Sequence, residues 1–187
     1  MDGGMTDDRK TRLRDIVAAK SLSRGRDFKL ASGVSSPYYF DMKPSVMDPD
    51  GARLAAELIL EAVKDEELDC VGGMAIGGIP IAAAVAMGSS TTDRPLPGFL
   101  VRKEVKERGS EKQIEGNLVK GGRVLIVEDV TTTGGSAMQA IEAVRAEGCT
   151  VPVVVTVVDR LEGATENFAA EGIRFLCVLD RDDFEGY

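Results

Sequence analysis

Val124-Leu125-Ile126-Val127-Glu128-Asp129-Val130-Thr131-Thr132-Thr133-Gly134-Gly135-Ser136 is the stretch that decides how this chain is read. An apolar run ends in two adjacent acids, then three threonines, two glycines and a serine. The run predicts a strand over 123–128, buried on both faces. A helix is expected over 136–147, with Ala137, Ala140, Ile141 and Val144 facing inward and Ser136 as its opening residue and N-cap. The turn between them aims backbone N–H groups and hydroxyls at one point, backed by a helix N-terminus. Such a point suits a phosphate monoester. Glu128 and Asp129 stand on the strand side, placed to accept hydrogen bonds from sugar hydroxyls. A Gly-Gly-Ser alone would be only a strand-to-helix turn; the acids and threonines ahead of it favour phosphate binding.

Outward from this stretch, strands and helices alternate. Strands are expected over 70–75, 98–102, 151–158 and 174–179, and helices over 80–87 and 164–171. Strands that are apolar throughout and separated by helices imply an α/β fold: a mostly parallel, twisted sheet flanked by helices. In such sheets the site lies beyond the C-terminal strand ends. A helix begins at Asp48-Pro49, with Asp48 as N-cap and Ala55, Leu58, Ile59, Ala62 and Val63 on one face. Upstream, 7–20 reads as a charged surface helix, and the first four residues as unstructured, with Met5 an alternative start. Residues 28–41 read as short strands turning at Ser32-Gly33 and Ser36-Pro37, a small N-terminal hood. Residues 104–116 are charged, lack apolar period and read as a mobile loop. One domain over 1–187 is expected, with helix and hood in 1–47 and the core in 48–187.

Composition narrows the chemistry. The chain has 187 residues, 23 Lys+Arg against 31 Asp+Glu, a net charge of -8 and no histidine. That length buries about two-thirds of the unfolded chain's surface, so stability need not rest on disulfides or metal. Without histidine there is no Ser-His or Cys-His couple and no imidazole ligand for zinc. The acidic balance argues against nucleic acid as the main partner. Cys70, Cys149 and Cys177 are odd in number and flanked by apolar residues, so buried free thiols in a reducing cytoplasm are expected. No apolar run is long enough to span a membrane, and no secretory signal is visible. Neither a G-x-x-x-x-G-K-[ST] loop nor any G-x-G occurs, which argues against P-loop and dinucleotide-binding proteins.

Residues 128–136 resemble the 5-phosphoribosyl-1-pyrophosphate (PRPP) signature of type I phosphoribosyltransferases. Three further segments resemble the orotate phosphoribosyltransferases among them. These are Phe28-Lys29-Leu30-Ala31-Ser32-Gly33 with Ser35-Ser36-Pro37-Tyr38-Tyr39-Phe40-Asp41, then Arg102-Lys103-Glu104-Val105-Lys106, and Val158-Asp159-Arg160 with Glu162-Gly163-Ala164. The resemblance runs in order from about Phe28 to Ala164. This chain departs from many members at Ala31 and Gly77, where they carry lysine, and at Arg108, where they carry histidine.

The resemblance implies Mg2+-dependent transfer of phosphoribosyl from PRPP to N1 of orotate, giving orotidine 5'-monophosphate and pyrophosphate. It implies PRPP binding by Arg102, Lys103, Lys106, Arg108 and the stretch Glu128, Asp129, Val130, Thr131, Thr132, Thr133, Gly134, Gly135 and Ser136. Lys106, Glu128 and Asp129 are the catalytic candidates. Thr132, Arg160, Tyr39 and Phe40 are the orotate candidates, and Mg2+ is held mainly through PRPP, without direct side-chain ligands. A cytoplasmic homodimer sharing the 104–116 loop across subunits is also implied. The residues themselves leave alternatives. The cations of 102–108 are interleaved with Glu104, Glu107 and Glu111, and a solvated charge run on an exposed loop is the alternative reading. Arg160 reads also as a strand-end ion pair with Glu162 or Asp159. Gly72-Gly73 and Gly77-Gly78 serve either ligand approach or tight packing. Tyr38, Tyr39 and Phe40 serve core or ring stacking. A purine or uracil phosphoribosyltransferase, or a PRPP-sensing regulator on this fold, are the competing functions.

Overall fold

The computed structural model describes residues 3–29, 35–104 and 113–186. Helix α1 (Gly3–Lys20) leads into β1 (Leu22–Lys29) and β2 (Ser35–Phe40), which pair antiparallel as the hood. Short helix α2 (Lys43–Val46) and α3 (Pro49–Ala62) follow. Then come β3 (Cys70–Met74), α4 (Gly78–Ser89), β4 (Gly98–Val101), β5 (Ile114–Gly116) and β6 (Arg123–Thr131). The chain continues through α5 (Gly135–Ala146), β7 (Thr150–Asp159), α6 (Ala164–Ala170) and β8 (Arg174–Asp180), and closes with a 3-10 turn, Arg181–Phe184.

Among the described residues the main sheet runs β5-β4-β3-β6-β7-β8, parallel except for the β4–β5 pair. Its central strand alternates as a doubly covered strand should. Leu125 and Val127 enter the core shared with α1, α3 and α4, while Val124 and Ile126 enter the core shared with α5 and α6. The expected α/β class with both faces covered is what the chain adopts.

Several local expectations change. Residues 3–4 lie in α1, which is not merely a surface helix: Leu13 and Val17 are buried. Leu22–Lys29 forms a strand that polarity concealed, and Ser36-Pro37 lies within β2 rather than at a turn. Proline fits there because the register shifts between Arg24 and Phe28, opposite it, so its missing N–H interrupts no ladder bond. Residues 114–116, read as loop, add an edge strand against β4. Asp48 caps α3 as expected, accepting from the Asp50 and Gly51 N–H groups at 3.0 Å. Ala62, placed on that helix's inner face, is exposed, and Leu54 and Ala56 are buried instead. Cys70 and Cys149 are buried free thiols, but Cys177 is exposed, because β8 is an edge of the sheet with little covering it.

Candidate active site

Strands β3, β4, β6 and β7 run parallel, so their C-terminal ends lie on one side of the sheet. Strand β6 runs three residues past its expected end, so Glu128, paired with Thr156 of β7, and Asp129 lie within it near its C-terminal end. Glu128 is 5% exposed. The Met74 N–H hydrogen-bonds its carboxylate, yet its Oε1 is buried with no hydrogen-bond partner among the described residues. Burial, with Asp129 beside it, raises its pKa to about 8, against the opposing pull of Lys103. Asp129 is raised by burial too, eased by the Val130 N–H at 2.8 Å and by nearby Lys43. A buried, unpartnered carboxylate oxygen is costly unless a ligand completes it.

The turn then swings into α5. The helix starts at Gly135, one residue before the expectation, and its N-cap is Gly134 in the left-handed region at φ 86°. Ser136 is therefore inside the first turn. Gly134 has no side chain to cap the helix, so the first N–H groups stay open to an anion. Thr131 is buried and its hydroxyl has no hydrogen-bond partner among the described residues, while Thr132 is half-buried and Thr133 exposed. From α6, Asn167 donates to the Thr133 carbonyl at 2.8 Å and Phe168 underlies Gly134.

The cations divide. Lys103 is exposed and acts on Glu128. Arg102 donates through Nε to Glu115 on β5 at 2.8 Å, a partner outside the acids that interleave its own segment. Lys106 and Arg108 lie outside the described residues, as do Ala31 and Ser32-Gly33. Arg160 follows β7, is 3% exposed, and donates its backbone N–H to Thr131 at 2.9 Å, which ties it to the phosphate turn. Its guanidinium pairs with Glu162 at 2.9 Å and lies 4.9 Å from the Tyr38 ring centroid. The ion pair read from the sequence is thus present, at the end of β7.

In β2, alternation separates the aromatics. Tyr39 is 39% exposed, stacks on Phe28 at 5.7 Å and lies near Lys43. The Phe40 ring points the other way and is buried against Phe184 at 5.1 Å, so it serves the core rather than offering a stacking face. Of the paired glycines, Gly72 makes room for the Phe99 ring, and Gly73 and Gly78 pack on each other and on the Val127 carbonyl. Only Gly77 faces the site, where a Cβ would strike the Asp129 carboxylate. A longer residue at 77 would have to move that acid, which explains glycine here. Lys43, between Asp41 (2.5 Å) and Asp129, is a site cation that the sequence reading missed. Its only sequence signal is its place two residues after Asp41, at the end of an aromatic strand.

Among the described residues no cluster of three or more Cys, Asp or Glu side chains could hold a metal, and no helix is long and apolar enough to cross a membrane.

The comparisons with known proteins agree with this geometry. Residues 47–174 match the family model for the phosphoribosyl transferase domain. The orotate phosphoribosyltransferase of Rhodopseudomonas palustris strain BisB5 is 46% identical over 179 residues, covering 94% of this chain and 95% of that protein. The crystal structure of the Mycobacterium tuberculosis H37Rv orotate phosphoribosyltransferase with Fe(III) dicitrate superposes with a TM-score of 0.83 at 37% identity, over 95% of this chain and 99% of that one. The same enzyme in complex with PRPP gives 0.79 at 36%, over 94% and 98%. With a dense match along nearly its whole length, the chain belongs to the phosphoribosyltransferase family, among the orotate phosphoribosyltransferases.

Proposed function

We propose that this chain catalyses Mg2+-dependent transfer of the phosphoribosyl group from PRPP to N1 of orotate, the step that makes orotidine 5'-monophosphate for pyrimidine synthesis. The observation that carries the reading is the buried Glu128 oxygen without a partner, at the head of an uncapped phosphate turn. A ribose hydroxyl donating to that oxygen completes its hydrogen bonding, and Asp129 receives the neighbouring hydroxyl. The 5'-phosphate then sits on the N–H groups and hydroxyls of Thr131 to Ser136. Thr132, Tyr39 and Arg160 are assigned to orotate; the Arg160 fork suits its carboxylate or a ring carbonyl.

The C1–O bond to pyrophosphate breaks ahead of bond formation, its electron pair leaving with pyrophosphate; N1 of orotate bonds to C1, and its N1–H proton passes to pyrophosphate or solvent. Glu128 and Asp129 hold the ribose, and in their ionised forms they offer negative charge to the cationic sugar. Lys103, Arg102 and Lys106 supply positive charge where the leaving group gains negative charge. With the Glu128 oxygen and Asp129 given to ribose hydroxyls, Mg2+ would be held mainly through PRPP, and no side chain need ligate it directly. When bound, Mg2+ supplies charge neutralisation at the pyrophosphate. No histidine is required, since orotate is an acidic heterocycle. Closure of the part of the expected loop that precedes β5 would exclude water from the cationic sugar.

A homodimer fits a shallow, mostly apolar hollow of about 430 Å3 between α4 and the β4–β5 edge, lined by Ile79, Ala82, Ala83, Ala86 and Leu100. Free thiols fit a reducing cytoplasm. The decisive assay mixes protein, Mg2+ and PRPP with orotate, uracil or a purine and follows nucleotide formation. Turnover with orotate alone is expected; turnover with uracil or a purine instead would replace this reading. Lys106→Ala should lower kcat by orders of magnitude with an unchanged Tm. Mixing it with an Arg160→Ala subunit should restore part of the activity if the loop is shared between subunits. Near-normal turnover of Lys106→Ala removes that residue from catalysis.

A further inference from the structure

We infer that Tyr38 is a positioning residue for Arg160, fixing the plane of the guanidinium that meets orotate; this rests on the orotate reading of Arg160 given above. The Arg160 guanidinium carbon lies 4.9 Å from the Tyr38 ring centroid, and one guanidinium nitrogen is held by Glu162 at 2.9 Å. Two restraints of different kind, a ring face and a carboxylate, therefore act on one planar cation. The cation is 3% exposed, so its attraction to the ring is little screened by water.

The ring is itself anchored. Its edge meets Phe40 at 5.8 Å and 73°, and Phe40 in turn packs edge-on against Phe184 at 5.1 Å. The Tyr38 side chain also hydrogen-bonds Arg181 in the closing turn. Tyr38 thus joins hood, C-terminal turn and β7 end at one point. Its neighbour Tyr39 faces the opposite side of β2, so the two tyrosines have separate tasks.

The consequence is selective. An arginine fork binds a carboxylate well only when its plane matches. A long side chain without its ring support would lose orotate affinity through disorder, whereas the PRPP contacts on the β6 turn would be untouched. Tyr38→Leu is expected to raise the orotate KM about tenfold, the scale of a desolvated cation–π contact. The PRPP KM and kcat should stay within about twofold. Tyr38→Phe keeps the ring face and should keep the orotate KM within about twofold. In an Arg160→Ala background, Tyr38→Leu should add nothing further.

The role is overturned if Tyr38→Leu shifts both KM values together, or raises the orotate KM by the same factor with Arg160 absent. Should Tyr38→Leu fail to fold, stepwise fluorination of a phenylalanine at 38 keeps ring shape while draining its negative face. The orotate KM should then climb with each fluorine, and a flat series overturns the role. An unchanged orotate KM in Arg160→Ala alone would defeat the orotate reading of Arg160, and the positioning role would fall with it.

Discussion

Glu128→Gln should make the ligand-free protein more stable at pH 8 to 9 and nearly inactive. The folded chain holds the Glu128 proton up to about pH 8, whereas the ordinary carboxyl value is 4.5. Between those values the folded state binds more protons than the unfolded state. Stability from this group is therefore fully present below about pH 4.5 and falls as pH rises through about 8. Glutamine has no charge to desolvate, so its variant should lose that slope, and its Tm should exceed the parent's by several degrees at pH 8 to 9. Activity should move oppositely. The amide offers less negative charge to the ribose hydroxyls and to a cationic C1, and kcat/KM for PRPP should drop about a hundredfold or more, the scale of losing one preorganised electrostatic partner. Thermal melts across pH 5 to 9, alongside kinetics, check both halves. A variant that keeps the parent's pH slope would show that Glu128 does not store this cost. Retained activity would remove it from the site. The trade of stability for function is usual where a site keeps a group the fold would rather neutralise.

Phe168→Ala should cost about 3–5 kcal/mol, the range for deleting a fully buried aromatic side chain. Phe168 is 0% exposed, stacks on Phe175 at 5.0 Å, and lies where a Cβ on Gly134 would come within 2.7 Å of its ring. The ring is thus the floor of the phosphate turn as well as core. At this chain length the loss corresponds to a fall in Tm on the order of 10 °C. The PRPP KM should rise several-fold, because Gly134 and the start of α5 lose the surface that holds them. Saturating PRPP should recover part of the lost Tm, since ligand binding to the folded state offsets unfolding. Calorimetry with and without PRPP measures this. A Tm drop with an unaltered PRPP KM would show that the turn stands without its floor.

Much of this protein is legible in order along the chain. Two-faced burial makes runs such as Val151 to Val158 apolar at nearly every position, Thr156 excepted, and that pattern survives without knowledge of neighbours. Asp48-Pro49 marks a helix start because capping is a local interaction. The acids, threonines and glycines of 128–136 specify an anion turn for the same reason: the groups that make it are adjacent in sequence. The polar strand β1 and the three-residue β5 carry no such pattern, because each is stabilised by a partner strand rather than by its own burial.

Tertiary structure decided what depends on distant neighbours. It set Gly72, Gly73 and Gly78 to packing and left Gly77 to the site, because only the position of Phe99, Val127 and Asp129 distinguishes them. It gave Arg102 to Glu115, turned the Phe40 ring into the core, and brought Lys43 beside Asp129 and Tyr38 beneath Arg160. The sequence by itself determined the class of fold and the chemistry of the phosphate turn, since both follow from short-range periodicity and spacing. Which charges face one another in the cleft, and which carboxylate holds its proton to about pH 8, was decided by burial and long-range packing, because desolvation and Coulomb forces depend on distances in space that spacing along the chain does not encode.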